Sequence, residues 1–279
     1  MTPDATVGSE SPSSCPACGT TALPPSYVYA IGQIEPRFPN LSVEKEVAQV
    51  TGRTETKDLT DRQALHRVLS ERRNRYLVRH MCWVMTIEGL DTYILRPRDS
   101  ADWDLLVEAF RPRPGTSDID TVIGIRGPIA PPDLCNGLSV PMLLFTQIYS
   151  YDEASLIKAI PRPSGMTEEQ FAPAAEDLFR RIMQMADNAG ATDEHRALNY
   201  VATRYPRIYE IMSDAHGRNA GLASIDVRPS RLSGVRKVVD IILSFNDRQT
   251  DVVEKHFTRV DVTEEFPFLI TKMSPYYDR

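Results

Sequence analysis

From Thr167 to Ala215 the apolar residues return every three or four positions, and from Leu222 onward the chain turns β-rich. That period of three or four belongs to amphipathic helices. Phe171, Ala175, Leu178, Ile182 and Met185 form the stripe of "TEEQFAPAAEDLFRRIMQMADN", opened by Thr167 with Glu169 and Gln170 close to a capping box. "TDEHRALNYVATRYPRIYEIMSDA" continues as helix and breaks near Pro206. Four strand-like segments follow: "LASIDVRPSRL", "RKVVDIILSFND", "TDVVEKHFTRVDVT" and "PFLITKM". The polar turn "FNDRQT" joins the middle pair as an antiparallel hairpin. Across the chain helices and strands come in mixed order with no repeating βα unit, which fits an α+β fold better than a doubly wound sheet.

The first half mixes the two patterns. "SYVYAIGQIEPRF" reads as a strand stopped by Pro36 and Pro39, and "NLSVEKEVAQVTG" as a helix capped by Ser42 and ended at Gly52. "LTDRQALHRVLSE" is a second helix capped by Thr60. "RYLVRHMCWVMTIEGLDTYILRP" reads as strands around a tight "EGLD" turn, with Tyr76 and Val78 in the first of them. "DSADWDLLVEAFRP" is a helix capped by Asp99 or Ser100. "DTVIGIRGPIAPP" and "SVPMLLFTQIYSY" are strands joined by the turn-forming "APPDLCNG", and "DEASLIKAIPRP" is a short helix. The division that follows is a flexible leader at 1–26, a first α+β domain at 27–160, and a second at 161–279 with a helical start and a β-rich end. The sheets are expected to be mixed or antiparallel, with helices packed on them.

A net charge of −6 and a pI near 5.5 leave no basic field for a nucleic-acid backbone. The longest apolar stretch, "VPMLLF" at 140–145, is strand-length and far short of a membrane span. The first fourteen residues carry Asp4 and Glu10 and no apolar core, so they do not read as a secretory signal. The expectation is a cytoplasmic protein in a reducing compartment, where a stable disulfide is disfavoured.

Against that background stand four cysteines: Cys15 and Cys18 in "CPAC", then Cys82 and Cys135. A tetrahedral zinc ion takes four soft donors, and this chain offers four. The residues alone leave three readings open: a structural zinc knuckle, a redox pair, and no joint role, with Cys82 a small buried apolar residue beside Trp83. A thioredoxin-like use is disfavoured because "GTTALPPS" after the pair is a poor helix former. His80, two residues before Cys82, would share its face in a strand and could replace one thiolate. "RPGTSDID" contains a Gly-Thr-Ser but lacks a recognisable base and acid partner for a protease nucleophile. Phosphate loops and the zinc-protease and hydrolase-elbow motifs are also missing from the sequence.

Longer phrases carry a resemblance. "YVYAIGQIEPRFPNLSVEKEVAQVTGR", "RNRYLVRHMCWVMTIEGLDTYILRPRD", "IGIRGPIAPPDLCNGL", "VRPSRLSGVRKVVDIILSF" and "DVTEEFPFLITKMSPYYDR" resemble the C-terminal domain of unknown function of the cyanobactin maturation proteases PatA and PatG. In that family the domain trails a subtilisin-like protease or macrocyclase that processes ribosomally made precursor peptides. The protease is not matched here, so proteolysis is not carried over. Because "MCWV" and "LCNG" lie inside family-like phrases, the resemblance favours Cys15, Cys18, Cys82 and Cys135 as ligands of one structural Zn2+.

The expectation is thus a non-catalytic accessory or docking module for modified-peptide biosynthesis. Four thiolates would leave the metal no open position. The expected partners are a precursor peptide or a modifying enzyme, and a second copy in a homodimer; nucleic acid and membrane are not expected. Two rivals stand beside it. One is an enzyme with a pocket between the halves, using His195, His216, Arg231 and the acidic set near Glu264. The other is a general adaptor outside peptide biosynthesis.

Overall fold

The computed structural model describes residues 25–53, 59–112, 118–152, 167–184, 187–250 and 252–277. In chain order its elements are β1 (Tyr27–Arg37), α1 (Leu41–Arg53), α2 (Asp61–Ser70), α3 (Arg75–His80), β2 (Cys82–Ile87), β3 (Leu90–Pro97), α4 (Trp103–Ala109), β4 (Asp118–Ile129) and β5 (Pro141–Asp152). After these come α5 (Glu168–Met183), α6 (Asp193–Arg204), α7 (Arg207–Gly217), β6 (Ala220–Pro229), β7 (Val238–Asp247), β8 (Val253–Asp261) and β9 (Phe268–Pro275). The fold class is α+β. No helix among the described residues is long and apolar enough to cross a membrane.

The first five strands close into a barrel in the order β1-β2-β3-β5-β4, antiparallel except for β3 beside β5. The alternation in β1 drives both halves of the molecule. Val28, Ala30 and Ile34 point into the barrel with Trp83, Met85, Leu95, Val122 and Phe145. Ile31, on the opposite face, joins the core of the second half. Helices α1–α4 add Val47, Val68, Leu69, Leu77, Leu106 and Phe110 to the barrel core. The Trp83 ring meets Phe110 edge-on at 6.3 Å, and its Nε1 donates to the Val78 carbonyl at 2.8 Å.

The second sheet runs β6-β7-β8-β9, fully antiparallel. Val239, Ile241, Leu243 and Phe245 of β7 face Phe171, Leu178, Leu198, Val201, Ile208 and Met212 of the three helices. Burying each such side chain contributes roughly 1.5–3 kcal/mol. The β7–β8 hairpin is as expected, and α6 and α7 are separated at Tyr205–Pro206.

Local departures from the sequence reading have physical causes. "RYLVRH" forms the helix α3 rather than a strand, burying Leu77 and Val78 against the barrel core. The cap of α1 is Asn40, whose Oδ1 accepts from the Val43 N–H at 3.0 Å, not Ser42. Pro36 does not stop β1; there the strand pairs with β2 alone, a place where proline is tolerated. Thr60 caps α2 as expected, in a reciprocal capping box with Gln63. The 1–26 leader through residue 24, the "DEASLIKAIPRP" helix after Asp152 and the 160/161 boundary lie outside the described residues.

Candidate functional site

Two places in the fold bear on function: the cysteine cluster and a cavity where the two halves meet. Cys82 opens β2 and is 1 % exposed; Cys135 is buried in the loop that follows β4. With Val84, Ile94 and Ala130 they form a small apolar cluster on the outside of the barrel. The loop returns on itself because Asn136 and Gly137 adopt positive φ and the Ala130 N–H donates to the Val140 carbonyl at 2.9 Å. That return brings residues 53 apart in sequence to a Cα separation of 5.8 Å, and they form a disulfide. The expectation of two thiols disfavouring a bond is therefore corrected: the loop packs one sulfur onto the other.

A bonded sulfur has no thiolate charge to give a metal, so this pair can serve zinc only when reduced. Two thiols at that spacing fit half of a four-thiolate site. Cys15 and Cys18 lie outside the described residues. Among the described residues no group of three or more His, Cys, Asp or Glu is placed to hold a metal. His80 ends α3 with its Nδ1 3.2 Å from the Tyr76 carbonyl, so the shared strand face with Cys82 does not exist.

The cavity has a volume of about 610 Å³, within the range of small-ligand sites. One wall is Ile87, Glu88 and Leu90 to Tyr93 of the β2–β3 hairpin; another is Arg126 of β4 with Val140 and Pro141; the third is Met183, Gln184, Asp187, Asn188, Ala189 and Ala191, between α5 and α6. That connection is fastened to the barrel. Tyr93 Oη donates to the Ala189 carbonyl at 2.8 Å, and the Tyr29 N–H donates to the Gly190 carbonyl at 2.9 Å. Asn188 and Asn199 exchange side-chain hydrogen bonds at 2.7 and 3.1 Å, and Asn199 also donates to the Tyr29 carbonyl. Burial pushes the Tyr93 hydroxyl up to about 12, against the opposing influence of nearby Arg126. The phenol is therefore a fixed neutral donor at neutral pH.

A second cavity, of about 420 Å³, lies between α2 and α4 and is lined by His66, Ser70, Arg75, Asp104 and Glu108. Burial pushes the His66 imidazole below its ordinary value. Ser70 Oγ is 3.4 Å from His66 Nε2 but donates at 2.7 Å to the His66 carbonyl of its own helix. Arg75 pairs with Asp104 and Arg111 with Glu108. The Arg75–Asp104 pair holds α3 to α4, and the Ser70 bond leaves the serine proton directed away from the imidazole.

The residues of the enzyme reading are spread over separate elements. His195 lies in the first turn of α6, His216 at the exposed end of α7, Arg231 in the exposed loop after β6, and Glu264 in the exposed loop before β9. None of the four lines either cavity. The residues that line the Arg126–Tyr93 cavity were not among those the sequence reading named for a pocket between the halves, because its walls come from three segments far apart in the chain.

Residues 27–232 match the family described as PatG Domain. A solved structure titled "PatG Domain of Unknown Function" superposes with a TM-score of 0.72 and 18% sequence identity, covering 90% of this chain and 98% of that one. At that identity the likeness speaks for the fold. No curated protein matches.

Proposed function

This chain belongs to the PatG domain family, and from that premise we propose that it is a non-catalytic accessory and docking module in the biosynthesis of ribosomally made, cyanobactin-like modified peptides. The family match over residues 27–232 carries the reading, since the family is linked to the cyanobactin maturation proteases. Its partners are a precursor peptide or a modifying enzyme. The test is capture: tagged protein is mixed with the precursor and modifying enzymes encoded beside it, and retention of one of them above a tag-only control is expected. Retention of none overturns the reading.

The module works in the cytoplasm and is fastened by a structural zinc. When Cys82 and Cys135 are reduced, they and Cys15 and Cys18 hold the ion, which would supply cross-linking and no chemistry on a substrate. The route of the chain supports this. The Ser26 carbonyl accepts from the Arg126 N–H at 2.8 Å, on the strand that leads into the Cys135 loop. Cys18 precedes Ser26 by eight residues, a contour of up to roughly 26–29 Å. The module acts as a homodimer; the exposed Phe266, Phe268 and Ile270 at the β9 edge of the second sheet supply an apolar contact for a second copy. Light scattering giving the mass of one chain would remove the dimer.

A further inference from the structure

We propose that the cavity between β3 and the α5–α6 connection seats an extended peptide, added as a strand on the bare edge of β3 and anchored by a carboxylate on Arg126. The proposal rests on the docking reading and names the place and chemistry of its peptide site.

The bare edge follows from one proline. Beside β5, β3 is paired only from Ile94 to Pro97, against Met142 to Phe145. Continuing that parallel register backwards would set Tyr93 against Pro141 and Thr92 against Val140. Pro141 has no N–H to give, and the Val140 carbonyl is already taken by the Ala130 N–H. The ladder stops there. Leu90, Asp91 and Tyr93 pair with β2 on one side, across an irregular register at Thr92, and among the described strands nothing pairs with them on the other.

The cavity lies along that edge. Leu90, Asp91, Thr92 and Tyr93 all line it. Successive strand side chains point to opposite faces, so four consecutive residues border one space only where the space runs along the strand's side. Backbone donors and acceptors facing such a space call for partners of the same kind, which an extended peptide supplies. The other walls suit its side chains: Ile87, Val140, Met183, Ala189 and Ala191 are apolar.

Charge gives the peptide its direction. Arg126 is exposed at the cavity and has no ion-pair partner among the described residues. Asp91, on the facing wall, is held by Arg37 through two hydrogen bonds of 2.6 Å and so does not occupy it. Glu88 and Asp187 sit at the cavity's border, both in left-handed backbone turns, and disfavour a carboxylate there. A peptide carboxylate is therefore steered to the Arg126 end. The walls are held by Tyr93, Tyr29 and Asn199 before any ligand arrives, which keeps the ordering cost on the protein side low.

The experiment uses the full chain and three fluorescein-labelled octapeptides, read by anisotropy. The first is Thr-Leu-Thr-Val-Thr-Leu-Thr-Glu; the second is the same peptide N-methylated at alternate residues; the third ends in glutamine amide. Saturable binding of the first is expected, with N-methylation and loss of the carboxylate each weakening it about tenfold, the scale of one charge-assisted hydrogen bond. Arg126→Glu should weaken the first peptide similarly and leave the third nearly unchanged. Leu90→Lys, at a side chain 72% exposed, should weaken all three without altering the thermal melt. Equal binding of methylated and unmethylated peptides, indifference to Arg126→Glu, or no binding at all overturns the site. Capture of a precursor or enzyme by the Arg126→Glu protein would then show that docking survives elsewhere, and loss of capture by the unaltered protein would sink the docking reading itself.

Discussion

Arg196 of α6, 2 % exposed, donates its Nη1 to the carbonyl of Val262 at 2.7 Å and so fixes the loop between β8 and β9 to the helical layer. Its other nitrogen reaches the Glu264 carbonyl, its plane lies over the Tyr27 ring at 5.3 Å, and Asp193 stands 3.4 Å away. Burial pulls the guanidinium below its ordinary value while Asp193 opposes that pull. Replacing it by methionine keeps the volume and strands the carbonyls. Arg196→Met should lose about 2–4 kcal/mol in urea unfolding, and Arg196→Lys should recover little because an ammonium cannot fork between two carbonyls.

Gly190 sits at φ +70 with its backbone against β1, and a Cβ there would run into the Tyr29 carbonyl. Gly190→Ala should destabilise the fold by about 2–4 kcal/mol. Asparagine tolerates the dihedral but brings the same Cβ, so Gly190→Asn should be no better. A clear rescue by asparagine in thermal melts would mean that the dihedral and not the contact matters.

Asp261 is 2 % exposed and its pKa lies below the ordinary carboxylate value. Burial pushes it up, but the side-chain and backbone donors of Thr263 and the Arg236 guanidinium outweigh that and favour the charged form. A depressed folded value means the stabilisation is complete above the unfolded value of about 3.9 and is lost as pH falls through the folded one. Melting temperature should therefore drop on acidification below about pH 4. Asp261→Asn should be about 1–3 kcal/mol less stable at pH 7 and show a shallower acid limb. An unchanged acid limb would assign that limb to other carboxylates.

The cysteines give a prediction with two arms. Protein purified with reductant should carry about one zinc equivalent, and Cys15→Ser or Cys135→Ser should lose it with a drop in melting temperature. Protein purified without reductant should show the Cys82–Cys135 bond by mass spectrometry. Opening its 53-residue span should cost about 2–4 kcal/mol. Less than about half a zinc equivalent in the reduced protein would remove the metal from the account.

What could be read from the residues depended on how many neighbours each segment answers to. α5 buries one apolar stripe in the core of the second half, so Phe171, Leu178 and Ile182 declared their period in the sequence. α3 did not, because Tyr76 and Val78 have strand propensity, and only the packing of Leu77 and Val78 under Trp83 decides for a helix. Pro36 looked like a strand end because the absence of a second neighbour there is a property of the sheet. The peptide cavity was illegible for the same reason. Pro141 becomes a break in a ladder only once β3 and β5 are in register, and Arg126 faces the α5–α6 connection only after the barrel closes. The contact of Cys82 with Cys135 is made by a loop whose return no spacing reveals.

β1 is the first described strand, yet its neighbours arrive late. It pairs with β4 from about ninety residues downstream and takes Gly190, Arg196 and Asn199 onto its outer face later still. During synthesis Val28 and Ala30 wait, unpaired and apolar, for β4, and Ile31 waits longer for the helices that cover it. Long-range pairings of this kind slow folding. The vulnerable time for this protein is therefore its own translation, when the strand that serves both cores still lacks part of its partners.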